Sequence, residues 1–342
     1  MAIHFECYDN IMLKQFLSFF SSSKRKKTVL FYRNFQGFQG GHLKTWNYFN
    51  HLKSFEGFYP KIYFTSSSIW KDNPWKGNCI PEKKWLPESA DILFLAGLDW
   101  SALEENKFDP EKPIINLIQH VRHADPEDIR YQYLKNRAIR ICVSDAVASA
   151  LLSTNCVNGP IYTIQNGINL TEISSIRPEE EGGVKEIDVL ISGLKNKKLA
   201  MKLCLELLKL GIKVECQIKS ISRDDYLRKL ASSKVSLMLP SRTEGFYLPA
   251  LESMALGSLV ICPDCVGNRG FCDNNSNCYM PPYDFDSLFN ATVNAMSLDV
   301  VSHRMFVSNA YQTASEYSLV KEKDVFHKIM LNIDEIWCDH QE

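Results

Sequence analysis

The feature that most limits what this chain can become is a rhythm. Short apolar runs alternate with segments of helical period, in two series separated by one polar interruption. Such alternation builds parallel sheets covered by helices on both faces. The first series opens with KTVLFYR at residues 27–33, followed by a glycine-bearing loop and a helix from His42 that sets Leu43, Trp46, Phe49 and Leu52 on one side. Further strands are expected at 61–64, 92–96, 114–118, 139–143 and 161–164. Residues 171–185 then carry Arg177-Pro178 and Glu179-Glu180-Glu181-Gly182-Gly183, which is linker chemistry without an apolar period. The second series has strands expected at 187–191, 213–218 and 235–239, with helices over 199–210 and 223–231. Beyond residue 301 the period is helical only. The expected organisation is a tail or helix over 1–26, an α/β domain over 27–170, a linker over 171–185, a second α/β domain over 186–300, and C-terminal helices over 301–342. A chain of 342 residues is long enough for two cores.

Charge and cysteine content narrow the function classes. With 39 Lys plus Arg against 40 Asp plus Glu, the net charge is -1, and no global field would hold a nucleic-acid backbone. No nucleic-acid partner is expected. Eleven cysteines, scattered from Cys7 to Cys338, read as thiols of a reducing compartment. Cys262, Cys265, Cys272 and Cys278 have spacings that thiolates could use to hold zinc. Cys262 ends the apolar run Leu259-Val260-Ile261, however, so a core position is the reading taken and no metal is expected. No run approaches the roughly 20 apolar residues that span a bilayer, and the N-terminus lacks the features of a signal peptide. A cytoplasmic protein is expected. Ile11-Met12-Leu13 and Phe16-Leu17-Ser18-Phe19-Phe20, followed by Lys24-Arg25-Lys26-Lys27, leave two readings for the tail: a helix packed on the protein, or a peripheral membrane contact through residues 11–27 at the inner face of a membrane.

The most informative segment is 237–262, LMLPSRTEGFYLPALESMALGSLVIC. A strand ends near Leu239, Pro249 takes a favoured first helical position, and Gly257 stops the helix before the next strand. Glu244 therefore sits in the loop and Glu252 in the first turn, both at the carboxyl end of a parallel strand, where open α/β sheets bind ligands. Two carboxylates eight apart can face one crevice, one accepting paired hydroxyls as a ribose offers them, the other approaching a second polyol. The plainer reading of a glutamate early in a helix is compensation of the macrodipole. The amides of Gly245, Phe246, Tyr247 and Leu248 open the helix, and its positive end favours a phosphate.

These residues resemble the E-x7-E signature of retaining glycosyltransferases with the GT-B fold, above all glycosyltransferase family 4 (glycosyl transferases group 1). The pattern runs from Glu244 to Gly257, with Tyr247 where the family has a glycine. Residues 260–267 (VICPDCVG) and Ile164-Gln165-Asn166-Gly167-Ile168-Asn169 are similar to two further family elements. The resemblance implies two Rossmann-like domains facing each other across a cleft, with the C-terminal helices over 301–342 crossing back to the first domain. It implies transfer of a hexosyl unit, with retention and without a metal, from a UDP- or GDP-sugar to a glycan, lipid-linked or small-molecule acceptor, in surface polysaccharide or glycoconjugate synthesis. No permanently bound cofactor is implied.

Carried onto this chain, the resemblance gives Glu252 the ribose and Glu244 the donor sugar, and places His120, with His123 as the other candidate, against that sugar. Gly40 and Gly41, after the first strand, would let backbone approach the diphosphate or the acceptor. The family follows a glycine with an arginine at the start of its second domain. Here Gly193 precedes Leu194, so Lys195 or Lys198 would supply the charge without the bidentate fork of an arginine. Lys44, Trp46, Trp70 and Trp75 are acceptor-side candidates. Asp284-Phe285-Asp286 has the spelling of a metal-binding D-x-D, but it stands at an expected helix start, where Asp is a cap. Two other readings stay open: a nucleotide-sugar enzyme of another kind, such as an epimerase, and a non-catalytic sugar-binding relative, suggested by the missing arginine.

Overall fold

A computed structural model describes residues 25–37, 40–103, 109–177 and 185–339. Residues 1–24, which hold most of the expected membrane contact at 11–27, lie outside them.

Strands such as ILFLA and IINLI have no polar alternation because both faces are covered, and every one of their residues is buried. In the first domain these strands are β1 (Lys27–Arg33), β2 (Phe58–Phe64), β3 (Ile92–Ala96), β4 (Ile114–Ile118), β5 (Ile139–Cys142) and β6 (Ile161–Thr163), all parallel, in the order β2-β1-β3-β4-β5-β6. The helices α1 (Gly40–Lys53) and α2 (Asp145–Leu152) belong to it. Helix α1 begins two residues ahead of the expected His42, so Gly40 and Gly41 form its first turn rather than a free loop.

The expected linker also opens differently. Residues 170–176 form helix α3 (Leu170–Ile176), because Asn169 caps it by accepting from the Glu172 amide at 3.2 Å and Ile173 is buried. Seven residues are too few for an apolar period to show in the sequence.

The second domain holds β7 (Ile187–Ser192), β8 (Val214–Gln217), β9 (Ser233–Met238), β10 (Leu259–Ile261) and β11 (Cys278–Tyr279), parallel in the order β11-β10-β9-β7-β8. Its helices are α4 (Lys197–Lys209), α5 (Arg223–Ala231), α6 (Leu248–Ala255), α7 (Phe285–Met296) and α8 (Val300–Ser315). Asp284 caps α7, accepting from the Ser287 amide at 2.9 Å. Helices α9 (Leu319–Leu331) and α10 (Ile333–Asp339) return to the first domain, where Phe326, Ile329, Met330, Ile333 and Trp337 complete its core. Among the described residues no helix is long and apolar enough to cross a membrane.

Two segments join the domains and cross at one point. The Ile168 amide donates to the Tyr317 carbonyl at 2.8 Å, and the Leu319 amide to the Ile168 carbonyl at 3.0 Å. A Cβ on Gly167 would lie 2.3 Å from the Ser318 carbonyl oxygen, so only glycine fits there. Buried beside the crossing, Glu322 accepts from Lys44, His51 and the Gly167 amide, and Lys44 also donates to the Gly167 carbonyl at 3.2 Å. Lys44 is thus spent on the joint, and the acceptor-side reading of it is corrected.

Both sheets reverse their strand order at one place, between β1 and β3 in the first and between β7 and β9 in the second. Loops leaving the carboxyl ends of strands at such a reversal part company and leave a crevice. In the second domain the two loops are those carrying Gly193 and Lys195, after β7, and Glu244, after β9.

Candidate active site between the two domains

The second domain's signature loop lies directly on the first domain. His120, just past the end of β4, and Glu244 form an antiparallel bridge, and Ser144 Oγ donates to the Gly245 carbonyl at 2.8 Å. A Cβ on Gly245 would come 2.2 Å from the Gln119 carbonyl oxygen. The glycine expected to admit a phosphate is therefore required by the approach of the two domains.

Around this contact three of the sequence-predicted residues meet. Glu244 Oε1 is 3.6 Å from Lys195 Nζ, and His120 Nε2 is 3.5 Å from Thr243 Oγ1. His120 Nδ1 accepts from the Arg122 amide at 3.1 Å, which leaves its proton on Nε2, toward the second domain. Burial, with Arg122 and Arg130 nearby, pushes the His120 pKa down to about 4, so the ring is neutral at pH 7. His123 is buried and pushed further down, to about 3, chiefly by that burial. Lys198 stands exposed in the first turn of α4, and among the described residues no ion pair joins it to this group.

Glu252 occupies a different setting. It is 3% exposed and accepts from Arg223 Nη1 at 2.6 Å, while the same guanidinium reaches both oxygens of Glu172 at 3.3 and 3.1 Å. These three charges, with Leu248 and Asn169, line a cavity of 240 Å³ closed on the other side by Trp46 and Asn47 of α1. A larger cavity, of 330 Å³, is lined by Asn274, Met280, Pro282 and Asn294; it collects no charged side chain and lies outside the cleft.

Several predicted residues serve packing instead. The ring of Phe246 lies 5.3 Å from that of Phe271 and 5.9 Å from that of Tyr317, bridging the two domains' cores. Tyr247 is 6% exposed, and its amide is taken by the Gly267 carbonyl at 2.9 Å. Tyr247 is corrected from a ligand-facing to a core position, because its ring is buried and its amide already partnered, while Phe246 stays half-buried between the two cores. A Cβ on Gly193 would sit 2.2 Å from the Ala200 Cβ, so this glycine lets α4 pack closely on β7. Gly41 abuts the Gln119 side chain, whereas Gly40 faces open space. Trp75 is fully buried, and Trp70 is 42% exposed outside the cavity.

Sequence reasoning missed Arg223 and Glu172, which lie 51 residues apart and meet only in the fold. It also missed a cluster at the end of β1. There Arg33 donates to Asp99 at 2.9 Å and lies 3.2 Å from His42 Nδ1. Burial pushes Asp99 up to about 6 despite the arginine, and burial plus that arginine pushes His42 down to about 4.

Residues 180–313 match the family model described as Glycosyl transferases group 1. The match spans the second domain and its signature loop. Among solved structures, HepE of Anabaena in complex with UDP-glucose is 15% identical, with 90% of this chain and 100% of that one covered at a TM-score of 0.68. Sucrose-phosphate synthase from Thermosynechococcus elongatus is 12% identical over 90% of this chain and 99% of its own, at 0.67. A glycosyltransferase from Rickettsia africae is 16% identical over 89% and 97%, also at 0.67. The likeness to these structures is one of architecture: two parallel-sheet α/β domains facing across a cleft, the GT-B fold. No curated protein sequence matches the chain.

Proposed function

We propose that this chain moves a hexosyl unit from a nucleoside diphosphate sugar to a glycan, lipid-linked or small-molecule acceptor, with retention at the anomeric carbon and without a metal, as in family 4. The reading includes a cytoplasmic site of action in surface polysaccharide or glycoconjugate synthesis. The observation that carries it is the meeting of His120 from one domain with Glu244 and Lys195 from the other, at a strand-order reversal. The departing diphosphate gains negative charge as the sugar becomes oxocarbenium-like, so a nearby cation and the positive end of the α6 dipole lower the barrier. Lys195 supplies that cation in place of the missing arginine. His120, neutral with its proton on Nε2, donates to a sugar hydroxyl, and Glu244 contacts the donor sugar. Glu252 holds the ribose hydroxyls with the oxygen that Arg223 leaves free, while Arg223 compensates its buried charge. HepE of Anabaena was solved with UDP-glucose, which makes a UDP-sugar the first donor to try.

The test is a panel of UDP- and GDP-sugars with EDTA present, followed by nucleotide release and by NMR of the product anomer. Slow hydrolysis or transfer with retained configuration is expected, and Glu244→Gln should remove it without unfolding the protein. Absence of any nucleotide binding at millimolar concentration would favour the non-catalytic reading; release of an epimer with free UDP would favour the epimerase-like one.

A further inference from the structure

Helix α4 is apolar on two opposite sides. Inward, Ala200, Leu203 and Leu207 are fully buried and pack with Val189, Ile191, Val235 and Leu237 of β7 and β9. Outward, Met201, Leu205 and Leu208 are 51%, 59% and 48% exposed. Their spacing of i, i+4 and i+7 sets them in one stripe along the helix. Helix α5 of the same domain shows the ordinary alternative: its outer side carries Asp224, Asp225 and Arg228, with Arg228 donating to Asp224 at 2.8 Å. The inner side alone docks α4 on its sheet, so the outer stripe is left over from folding.

Lysines border that stripe. Lys197 lies on one side of it, and Lys198, Lys202 and Lys209 on the other, all exposed. The helix's one acid, Glu206, is held by Lys209 at 2.8 Å, and Lys202 Nζ lies 3.9 Å over the ring of Phe285 in α7. An apolar strip about 20 Å long thus runs between ammonium groups whose flexible stems let them reach past it. Apolar side chains that enter an acyl boundary, with lysines beside them to meet phosphates, are what a helix lying on an anionic bilayer presents.

We propose that the outer side of α4 docks on an anionic lipid bilayer, with Met201, Leu205 and Leu208 entering the boundary between headgroups and acyl chains and the bordering lysines meeting lipid phosphates. This contact is a different one from that expected over residues 11–27, and it does not depend on the donor-site reading. Its place in the fold is at the cleft. Asn196 caps α4, accepting from the Leu199 amide at 3.3 Å, and the residue before it, Lys195, lies 3.6 Å from Glu244. The helix therefore starts at the cleft and leads away from it, so a chain docked this way holds the mouth of the cleft beside the membrane.

A second copy of the chain is a poorer occupant. A two-fold contact sets each surface against itself, which would oppose the four lysines to the same four. A stable interface also buries roughly 800 Å² per partner, more than three side chains on one helix provide. A nucleic acid would pair with the lysines and leave the apolar stripe in water. Lipid satisfies the charge and the stripe together.

The test sediments the full chain with vesicles of phosphatidylcholine alone, and of phosphatidylcholine and phosphatidylglycerol in equal parts. It should pellet with the second and not with the first, and should be released as NaCl rises from about 0.1 M to about 0.5 M, since salt screens the lysines. Met201→Ser with Leu205→Ser should weaken binding more than about tenfold, the loss of two inserted apolar side chains. Lys197→Gln with Lys209→Gln should weaken it about fivefold for each lysine. All four positions are exposed, so the thermal unfolding midpoint of both variants should stay unchanged. In the unsubstituted chain, acetylation of Lys197, Lys198 and Lys209, read by peptide mass, should fall with the anionic vesicles and not with phosphatidylcholine, which decides the matter even if a variant unfolds. Equal pelleting with both compositions, folded variants that pellet like the unsubstituted chain, or equal acetylation throughout overturns the proposal. A chain that leaves the vesicles in solution and sediments as a dimer, broken by Met201→Ser with Leu205→Ser, overturns it in favour of a second copy.

Discussion

Glu244 and Glu252 belong to one signature and live in opposite surroundings. Glu244 sits in a loop with its side chain 20% exposed, 3.6 Å from a lysine that is itself 55% exposed. Glu252, in the helix that follows, is 3% exposed and held at 2.6 Å by Arg223. An open ion pair of the first kind contributes about 0 to 1 kcal/mol and exchanges partners freely. A buried charge of the second kind is tied to its partner, because removing either leaves the other stranded in low dielectric. The spacing brings both acids to one rim, but solvent access gives one the freedom to engage a reacting sugar and the other the task of holding a fixed group.

The contrast can be broken at several places. Glu244→Gln should lower turnover about a thousandfold, the loss that follows removal of one group aimed at developing charge, with an unchanged urea midpoint; a shifted midpoint would make Glu244 a structural residue. Glu252→Ala should cost about 3 kcal/mol of folding stability, because Arg223 keeps only Glu172, and should also remove UDP binding. Unaltered urea unfolding would show that the buried pair is dispensable. His120→Ala should reduce turnover about a hundredfold, as loss of a positioned proton donor does. In the unsubstituted chain, turnover should be level from pH 8 downward and fall near pH 4, the value to which burial pushes this histidine. Because the folded-state pKa lies below the usual 6.5, the unfolded chain binds the extra proton first. This group's contribution to stability is therefore complete above pH 6.5 and is lost as pH falls toward 4. A limb in kcat at 6.5 would place the ring in solvent. Lys195→Ala should raise the donor KM about tenfold, as loss of one partly screened phosphate contact does, with no change in melting; Lys198→Ala should change neither.

Those effects trace how much the sequence made legible. Strands β3 and β4 show in it because chains buried on both faces need unbroken apolar runs, and Ile92–Ala96 and Ile114–Ile118 coincide with the expected spans. The signature loop stands out for a similar reason, since Pro249 and Gly257 mark a helix start and stop through local backbone preference alone. What was hidden is non-local. Tyr247 looked like an intruder in a ligand loop, yet it is buried in a core built by residues far along the chain. Lys44 looked like an acceptor contact until Glu322, 278 residues away, claimed it. Residues 171–176 looked like linker because a single capping Asn and one buried Ile leave no period to detect.

By itself, the order of residues determined two parallel-sheet domains and the edge at which each can take a ligand, because strand burial and helix punctuation are set by neighbours in the chain. The tertiary structure alone decided which charges meet. It set His120 against the Glu244 loop and gave Arg223 two glutamates. Electrostatic contacts act over a few ångströms of space whatever the separation along the backbone, so only the folded chain could assign those partners.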